Sequence, residues 1–340
     1  MKFSFFIIGV YAVNHVIYFY GMLATLHNDH ITDKGMETGT KNSVDVNVLD
    51  AIMKQRQLDV LEACGSLSHQ DRESIASSKN IVVNRQLGIL FCLVPKVAST
   101  TWTTILLALA KDVPISSIDS EMQWQQWRKY FKPLNKLPRY EQTKILKNFY
   151  KFMFVRDPIS RLRSAWKSKM TGNQPYFEEY YGKFIRNMYR GNTSEEKQNN
   201  SNGVTFHEFA QYVVDIPEIS VADPHWRPIL NLCNPCHIPY DTIGNFNDLE
   251  HEGGYVLHKL GTNMTFPRKE ELWNHKEFQN TNTQKQNQRS KTHVPKEVIG
   301  APVNAENGGE SLLEYSSNPL MSSLLKQYSA DVHLFSKIYN

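Results

Sequence analysis

Apolar positions along this chain fall into distinct patterns, and each predicts a different element. From Phe3 to Leu26 no charged residue occurs, and most positions are Phe, Ile, Val, Tyr, Leu, Ala or Gly. A run of that length can cross a bilayer as a helix, although Asn14 and His15 interrupt its middle. Leu49, Ile52, Met53 and Val60 then recur at roughly helical spacing, which predicts a short amphipathic helix ahead of the main domain. Gly88-Ile-Leu-Phe-Cys-Leu-Val94 is instead a continuous apolar run closed by Pro95, the pattern of a buried strand in a parallel sheet. From Ser99 onward, Trp102, Ile105, Leu106 and Leu109 fall at i, i+3, i+4 and i+7, one face of a helix.

The same order returns further on. Phe152-Met-Phe-Val155 is a second short buried strand, followed by the polar turn Arg156-Asp-Pro158 and a helix that buries Ile159, Leu162 and Trp166. Strand, loop and helix, repeated, predict an α/β fold with a central parallel sheet flanked by helices. Ile81-Val82-Val83 opens another apolar stretch, while His27 to Ser43, Gly191 to Gly203 and Asn280 to Lys291 are polar. The expected organisation is a tail at 1–2, a transmembrane helix at 3–26, a stem at 27–55 and a globular domain over 56–340.

The N-terminal run is expected to be an uncleaved signal-anchor. A cleaved signal peptide has a shorter apolar core ending in a small-residue cleavage site, whereas here the run continues past Ile17, Tyr18 and Tyr20. Lys2 is the one side-chain charge on the short N-terminal flank, so the tail should stay cytosolic and the rest of the chain should be lumenal. That topology gives meaning to the acceptor sequons Asn192-Thr-Ser, Asn199-Asn-Ser and Asn263-Met-Thr. It also places Cys64, Cys92, Cys233 and Cys236 in an oxidising compartment. Cys233-Asn-Pro-Cys236 has the spacing of half a zinc site or a redox pair, but no second such pair exists. Structural disulfides or buried thiols are the expected state, with the pairing open and no metal expected.

Composition narrows the class of ligand. The chain has 340 residues, 41% hydrophobic and 21% charged, with a net charge of +4 and a pI near 8.7. This is a globular composition. Mild basicity suits an anionic ligand, and a nucleic-acid binder would be more strongly basic, so no nucleic-acid partner is expected.

Two loops carry the candidate chemistry. Pro95, Lys96, Val97, Ala98, Ser99, Thr100 and Thr101 join a buried strand to a helix, the context in which free N–H groups and the helix dipole attract anions. The three hydroxyl residues are expected to cap the helix and to donate to phosphate oxygens, with Lys96 adding a formal charge. The bland alternative is a capped helix with Lys96 in solvent. The loop is not a Walker A sequence, because Lys96 comes first and no glycine lies between Pro95 and Trp102, which argues against a nucleoside-triphosphate kinase. In the second loop Arg156 stands at a strand end and Ser164 follows about two helical turns later. Such a pair can grip a phosphate through the guanidinium fork and a hydroxyl. Here the alternative is a structural ion pair of Arg156 with Asp157 at an ordinary helix start.

Together the two loops resemble the nucleotide-binding motifs of Golgi carbohydrate sulfotransferases, especially the branch with the chondroitin and dermatan 4-O-sulfotransferases and the HNK-1 sulfotransferases. The likeness extends weakly over an Arg56/Cys64 helix, His225-Trp226, Cys233-x-x-Cys236, Tyr240-Asp241-Thr-Ile-Gly244 and Tyr328-x-x-Asp331-x-x-Leu-Phe335. The resemblance implies a P-loop-like sulfotransferase fold in the Golgi lumen. It implies 3′-phosphoadenylyl sulfate (PAPS) as donor, PAP as product, and a glycan acceptor that is a glycosaminoglycan or a glycoprotein chain. It also implies that Pro95 to Thr101 hold the 5′-phosphosulfate and that Arg156 and Ser164 hold the 3′-phosphate. A homo-oligomer is compatible with the resemblance. The chain departs from the branch at Ser99 and Thr101, where cysteine or asparagine is frequent, and at Trp166, where tyrosine is frequent.

On this reading Lys96 stabilises the leaving phosphate, and His225, in Asp223-Pro-His-Trp-Arg-Pro228, is the expected proton acceptor. A structural histidine beside Trp226 is the alternative, and Glu121, Glu141 and Asp223 are other bases. Trp226 and Arg227 are candidate sugar contacts. A Golgi glycosyltransferase shares the anchor-and-stem layout, but many use an Asp-x-Asp pair, which this sequence lacks. A lumenal glycan-binding protein without activity would have no need of Lys96, Arg156 and Ser164.

Overall fold

The computed structural model describes residues 45–68, 78–171, 174–190, 203–267 and 318–339. The expected tail, signal-anchor and most of the stem, and the sequons at Asn192 and Asn199, lie outside the described residues. Among the described residues no helix is long and apolar enough to cross a membrane.

The chain starts with α1 (Val46–Ser66), which is capped by Asp45 and buries Leu49, Met53, Val60 and Cys64. This helix runs unbroken across position 56, and its apolar face belongs to the main core. Two strands follow, β1 (Ile81–Asn84) and β2 (Ile89–Cys92), every residue of them buried. Next come α2 (Ser99–Lys111), α3 (Ser120–Tyr130), the short β3 (Lys132–Pro133), α4 (Arg139–Asn148), β4 (Tyr150–Val155) and α5 (Pro158–Lys169). A helical run joins α6 (Pro175–Phe177), a π-helical turn (Glu178–Gly182) and α7 (Lys183–Arg190). The remainder comprises α8 (Phe206–Val214), α9 (Ile229–Cys233), β5 (Thr242–Asn245), α10 (Leu249–Lys259), α11 (Pro319–Gln327) and α12 (Ser329–Tyr339).

The sheet has the order β3-β1-β2-β4-β5. Strands β2, β4 and β5 are parallel, as the buried apolar runs predict, but β1 is antiparallel to both β2 and β3. The reason is the length of the first connection. Arg85 to Gly88 is too short for a crossover helix, so the chain can only turn back on itself. Asn84 Oδ1 accepts the Leu87 N–H at 2.7 Å, and Gly88 takes φ 63°, which a glycine adopts freely. Close packing governs the far side of the sheet, where a Cβ on Gly244 would overlap the Phe154 ring.

Two buried clusters result. One surrounds the sheet and includes Phe91, Trp102, Phe152 and Phe154. The other is helical, built from Ile159, Leu162, Phe177, Phe209, Trp226, Leu324 and Tyr328. Two disulfides brace the first. Cys64 pairs with Cys236 and Cys92 with Cys233, so the Cys-x-x-Cys residues each take a distant partner rather than each other. Arg56 pairs with Glu252 at 2.8 Å and donates to Ile243 O, while Glu252 also accepts the Asn245 N–H, fixing the end of β5.

Candidate active site

Loops 95–101 and 156–158 leave the same ends of the adjacent parallel strands β2 and β4, so residues far apart in sequence meet at one edge of the sheet. In the first loop Lys96 has φ 71° and Ala98 φ 52°. Left-handed backbone at two non-glycine residues costs about 1–3 kcal/mol each and is kept where the surroundings over-determine it. Buried Val97 lies between them and anchors the loop in the core. The helix N-cap is Ala98, which has no side chain that can cap. The expectation that Ser99, Thr100 and Thr101 cap α2 is therefore corrected. All three already lie in its first turn, one position too late, and their backbone N–H groups have no side-chain cap. Thr100 is exposed, and Ser99 and Thr101 are half-buried.

Arg156 directly follows β4 and lies across the loop from Lys96, donating to Lys96 O at 3.1 Å. Its guanidinium also stands 4.3 Å from the centre of the Phe246 ring. Asp157 is used otherwise, as the N-cap of α5 accepting the Ser160 N–H at 2.7 Å. Ser164 sits half-buried on α5. One turn further along, Ser168 Oγ accepts from Lys96 Nζ at 2.8 Å. Burial, then the charges of Lys169 and Arg156, pulls the Lys96 ammonium down to about 8.

The adjacent Lys169 Nζ stands 4.7 Å from the centre of the Phe177 ring. Phe177 in turn meets the His225 imidazole edge-on at 5.4 Å. Lys169 thus bridges the cationic loop pair and the histidine. Sequence reasoning did not single out Ser168, Lys169 or Phe177, since a serine or lysine at the end of an amphipathic helix has no distinctive pattern.

His225 Nδ1 lies 2.7 Å from Asp223 Oδ1, which also accepts the His225 backbone N–H at 2.9 Å. Burial lowers the imidazole's proton affinity, Asp223 opposes this, and Lys169 and Lys96 reinforce it, for a net shift below the ordinary value. Burial also works against the Asp223 carboxylate, but its bonds to His225 hold it below the usual range. A neutral ring bonded through Nδ1–H to a carboxylate keeps its lone pair on Nε2. Such a ring can accept a proton.

Its loop is clamped from three sides. Arg161, 1% exposed, donates to His225 O at 3.4 Å and to Arg227 O. Tyr328 Oη donates to Trp226 O at 2.5 Å, and Asp331, fully buried, accepts the Ile229 and Leu230 N–H groups at 2.6 and 2.8 Å. The Tyr328-x-x-Asp331 pattern therefore acts through the His225 loop. Arg161 is buried beside Ile159, Leu162 and Ala165 on α5, and sequence reasoning did not single it out.

Other sequence candidates are placed elsewhere. Trp226 is 1% exposed among Tyr181, Phe209 and Phe177, so it packs rather than meeting a sugar. Arg227 donates to Ala222 O and Val221 O, holding its own loop. Glu141 pairs with Arg85 at the β1–β2 turn, the opposite end of β2 from Lys96. Glu121 is exposed and accepts from Gln125. Asn263 is exposed.

A family profile described as "Sulfotransferase family" matches residues 79–339. Carbohydrate sulfotransferase 14 of Danio rerio is 35% identical over 207 residues, covering 60% of this chain and 54% of the relative. Carbohydrate sulfotransferase 8 of Mus musculus is 30% identical over 225 residues, with 65% and 54% covered. Carbohydrate sulfotransferase 11 of Rattus norvegicus is 31% identical over 230 residues, with 65% and 64% covered. The chain thus spans about half the length of the first two relatives and less than two thirds of the third. No solved structure matches it significantly.

Proposed function

The chain belongs to the sulfotransferase family, and from that premise we propose that it is a carbohydrate O-sulfotransferase using PAPS as donor. The observation that carries this reading is the convergence of Lys96 and Arg156 across one loop, with an Asp223–His225 pair facing them through Lys169 and Phe177. The cations and the uncapped first turn of α2 fit an anionic donor with two separated phosphate groups. Pro95 to Thr101 would hold its 5′-phosphosulfate, and Arg156 with Ser164 its 3′-phosphate.

Transfer is in-line. The acceptor hydroxyl oxygen bonds sulfur as the bond from sulfur to the bridging phosphate oxygen breaks. His225 Nε2 takes the hydroxyl proton, and Lys96 meets the charge that develops on the departing phosphate, leaving PAP. Asp223 holds the ring and stabilises the imidazolium. Positioning and charge supply the catalysis, as in phosphoryl transfer.

The acceptor is a sugar hydroxyl of a glycosaminoglycan, chondroitin- or dermatan-like, or of a glycoprotein glycan. The setting is the Golgi lumen, with a type II anchor at 3–26. Two disulfides and an exposed sequon at Asn263 support a lumenal domain. Transfer of labelled sulfate from PAPS to a panel of desulfated glycans tests the reaction. Sulfation by wild type and none by Lys96→Ala is the expected result, and a wild-type chain that binds PAP but sulfates no member of the panel overturns it.

A further inference from the structure

The helical run from Pro175 to Arg190 carries large hydrophobic side chains on both faces. Phe177 and Ile185 are buried, while Tyr176, Tyr180, Phe184 and Met188 recur every four residues and are 52–66% exposed. Single exposed apolar residues are ordinary, but an aligned row of four is a patch. Its near end is joined to the candidate base by successive ring contacts. His225 meets Phe177 at 5.4 Å, Phe177 meets Tyr176 at 5.2 Å, and Tyr176 meets Tyr180 at 4.7 Å. The π-helical turn Glu178–Gly182 carries Tyr180 of the row, and such turns recur at functional sites.

The charges beside the row are internally matched. Lys183 pairs with Glu179 at 2.6 Å, and Arg186 pairs with Glu178. A helix lying on an anionic membrane instead presents a lysine- and arginine-rich polar face. A neutral surface with two tyrosine rings, apolar on their faces and polar at their tips, suits the C–H faces and flanking hydroxyls of pyranose rings.

The geometry points to the row Tyr176, Tyr180 and Phe184 as a platform for the acceptor: a saccharide chain whose reacting hydroxyl is at His225 and whose further sugars lie along the rings. This rests on the sulfotransferase reading and specifies the acceptor as an extended chain rather than a single sugar. An acceptor polymer entering the site must continue past the reacting residue, and these exposed rings begin two ring contacts from His225, with buried Phe177 beneath as their support.

The test compares wild type, Tyr176→Ala/Tyr180→Ala and Tyr176→Phe/Tyr180→Phe. Binding of each PAP-loaded protein to immobilised desulfated chondroitin, desulfated dermatan and glycoprotein N-glycans is measured. Sulfate transfer to the polymer and to a disaccharide prepared from it follows. The alanine variant should bind and use the polymer about tenfold more weakly, the loss of one or two ring contacts. The disaccharide KM, PAP affinity and melting temperature should stay within about twofold or a degree or two, and the phenylalanine variant should retain most polymer affinity. Equal losses on polymer and disaccharide, or wild-type protein that binds none of the three polymers, overturn the platform. So does conversion of a wild-type dimer to a monomer by the alanine pair, or loss of binding to phosphatidylserine vesicles. Wild-type polymer binding without any sulfate transfer would instead reject the enzymatic reading and leave the platform standing.

Discussion

Asp223 Oδ1 receives two hydrogen bonds from one residue, the His225 ring at 2.7 Å and the His225 backbone N–H at 2.9 Å. The carboxylate therefore sets both the ring's orientation and the conformation of its loop. Burial keeps the imidazole neutral to lower pH than usual, which favours the basic form. The acid limb of kcat against pH should lie below the ordinary imidazole value of 6.5. His225→Ala should remove that limb and lower turnover by about two to four orders of magnitude, the range for a lost general base. Asp223→Asn should retain a limb but lower kcat, with PAP affinity unchanged in both. A limb unchanged in His225→Ala would transfer the role to another group.

Lys96 is held where its charge is disfavoured. Its pKa is near 8 folded against 10.5 for a free lysine, so the unfolded chain binds the proton more tightly. Stability should therefore rise with pH between those two values and be lowest, as far as Lys96 is concerned, below about 8. Lys96→Met should raise the melting temperature at neutral pH while abolishing transfer. PAP affinity of wild type should fall as pH rises through 8 and be flat there in the variant. Thermal melts and calorimetric titrations across that range provide the check.

Arg156 and Ser164 are expected to read the remote 3′-phosphate. Arg156→Ala and Ser164→Ala should raise the KM for PAPS, by about tenfold or more for the arginine, whose charge-assisted bonds are the stronger. A donor lacking the 3′-phosphate should penalise wild type more than either variant. Equal penalties in all three would remove both residues from that contact.

The disulfides differ in access. Cys92 and Cys233 are fully buried, whereas Cys236 is only half-buried. Peptide mapping without reductant should recover Cys64–Cys236 and Cys92–Cys233, and mild reduction should open the first pair before the second. Replacing Cys92 and Cys233 together removes a cross-link spanning 141 residues and should cost roughly 2–5 kcal/mol in denaturant melts.

Asp331 acts at a distance from the chemistry. Asp331→Ala leaves two buried N–H groups, those of Ile229 and Leu230, without their acceptor, a cost of at least about 2 kcal/mol. Because the same segment carries the His225 loop, kcat should fall further than PAP affinity. Destabilisation with normal turnover by the remaining folded protein would limit Asp331 to a structural role.

Local order along the chain determined a great deal here. The runs Gly88–Val94 and Phe152–Val155, each closed by a polar loop and followed by a helical stripe, specified two strand-loop-helix units, and the residue types in those loops marked a candidate anion site. Residues whose meaning comes from chain neighbours were therefore legible. The antiparallel β1 was hidden because an apolar strand looks the same whichever way its partner runs, and only the short Arg85–Gly88 turn decides. The N-cap at Ala98 was hidden because the loop's left-handed backbone, held by buried Val97, starts the helix one residue early. Cysteine pairing, the Asp331 clamp and the bridge from Lys96 through Lys169 and Phe177 to His225 all join residues brought together by packing, at separations where sequence spacing conveys nothing. Tertiary structure alone could decide them, since it brings the two candidate loops and a remote histidine to one edge of the sheet.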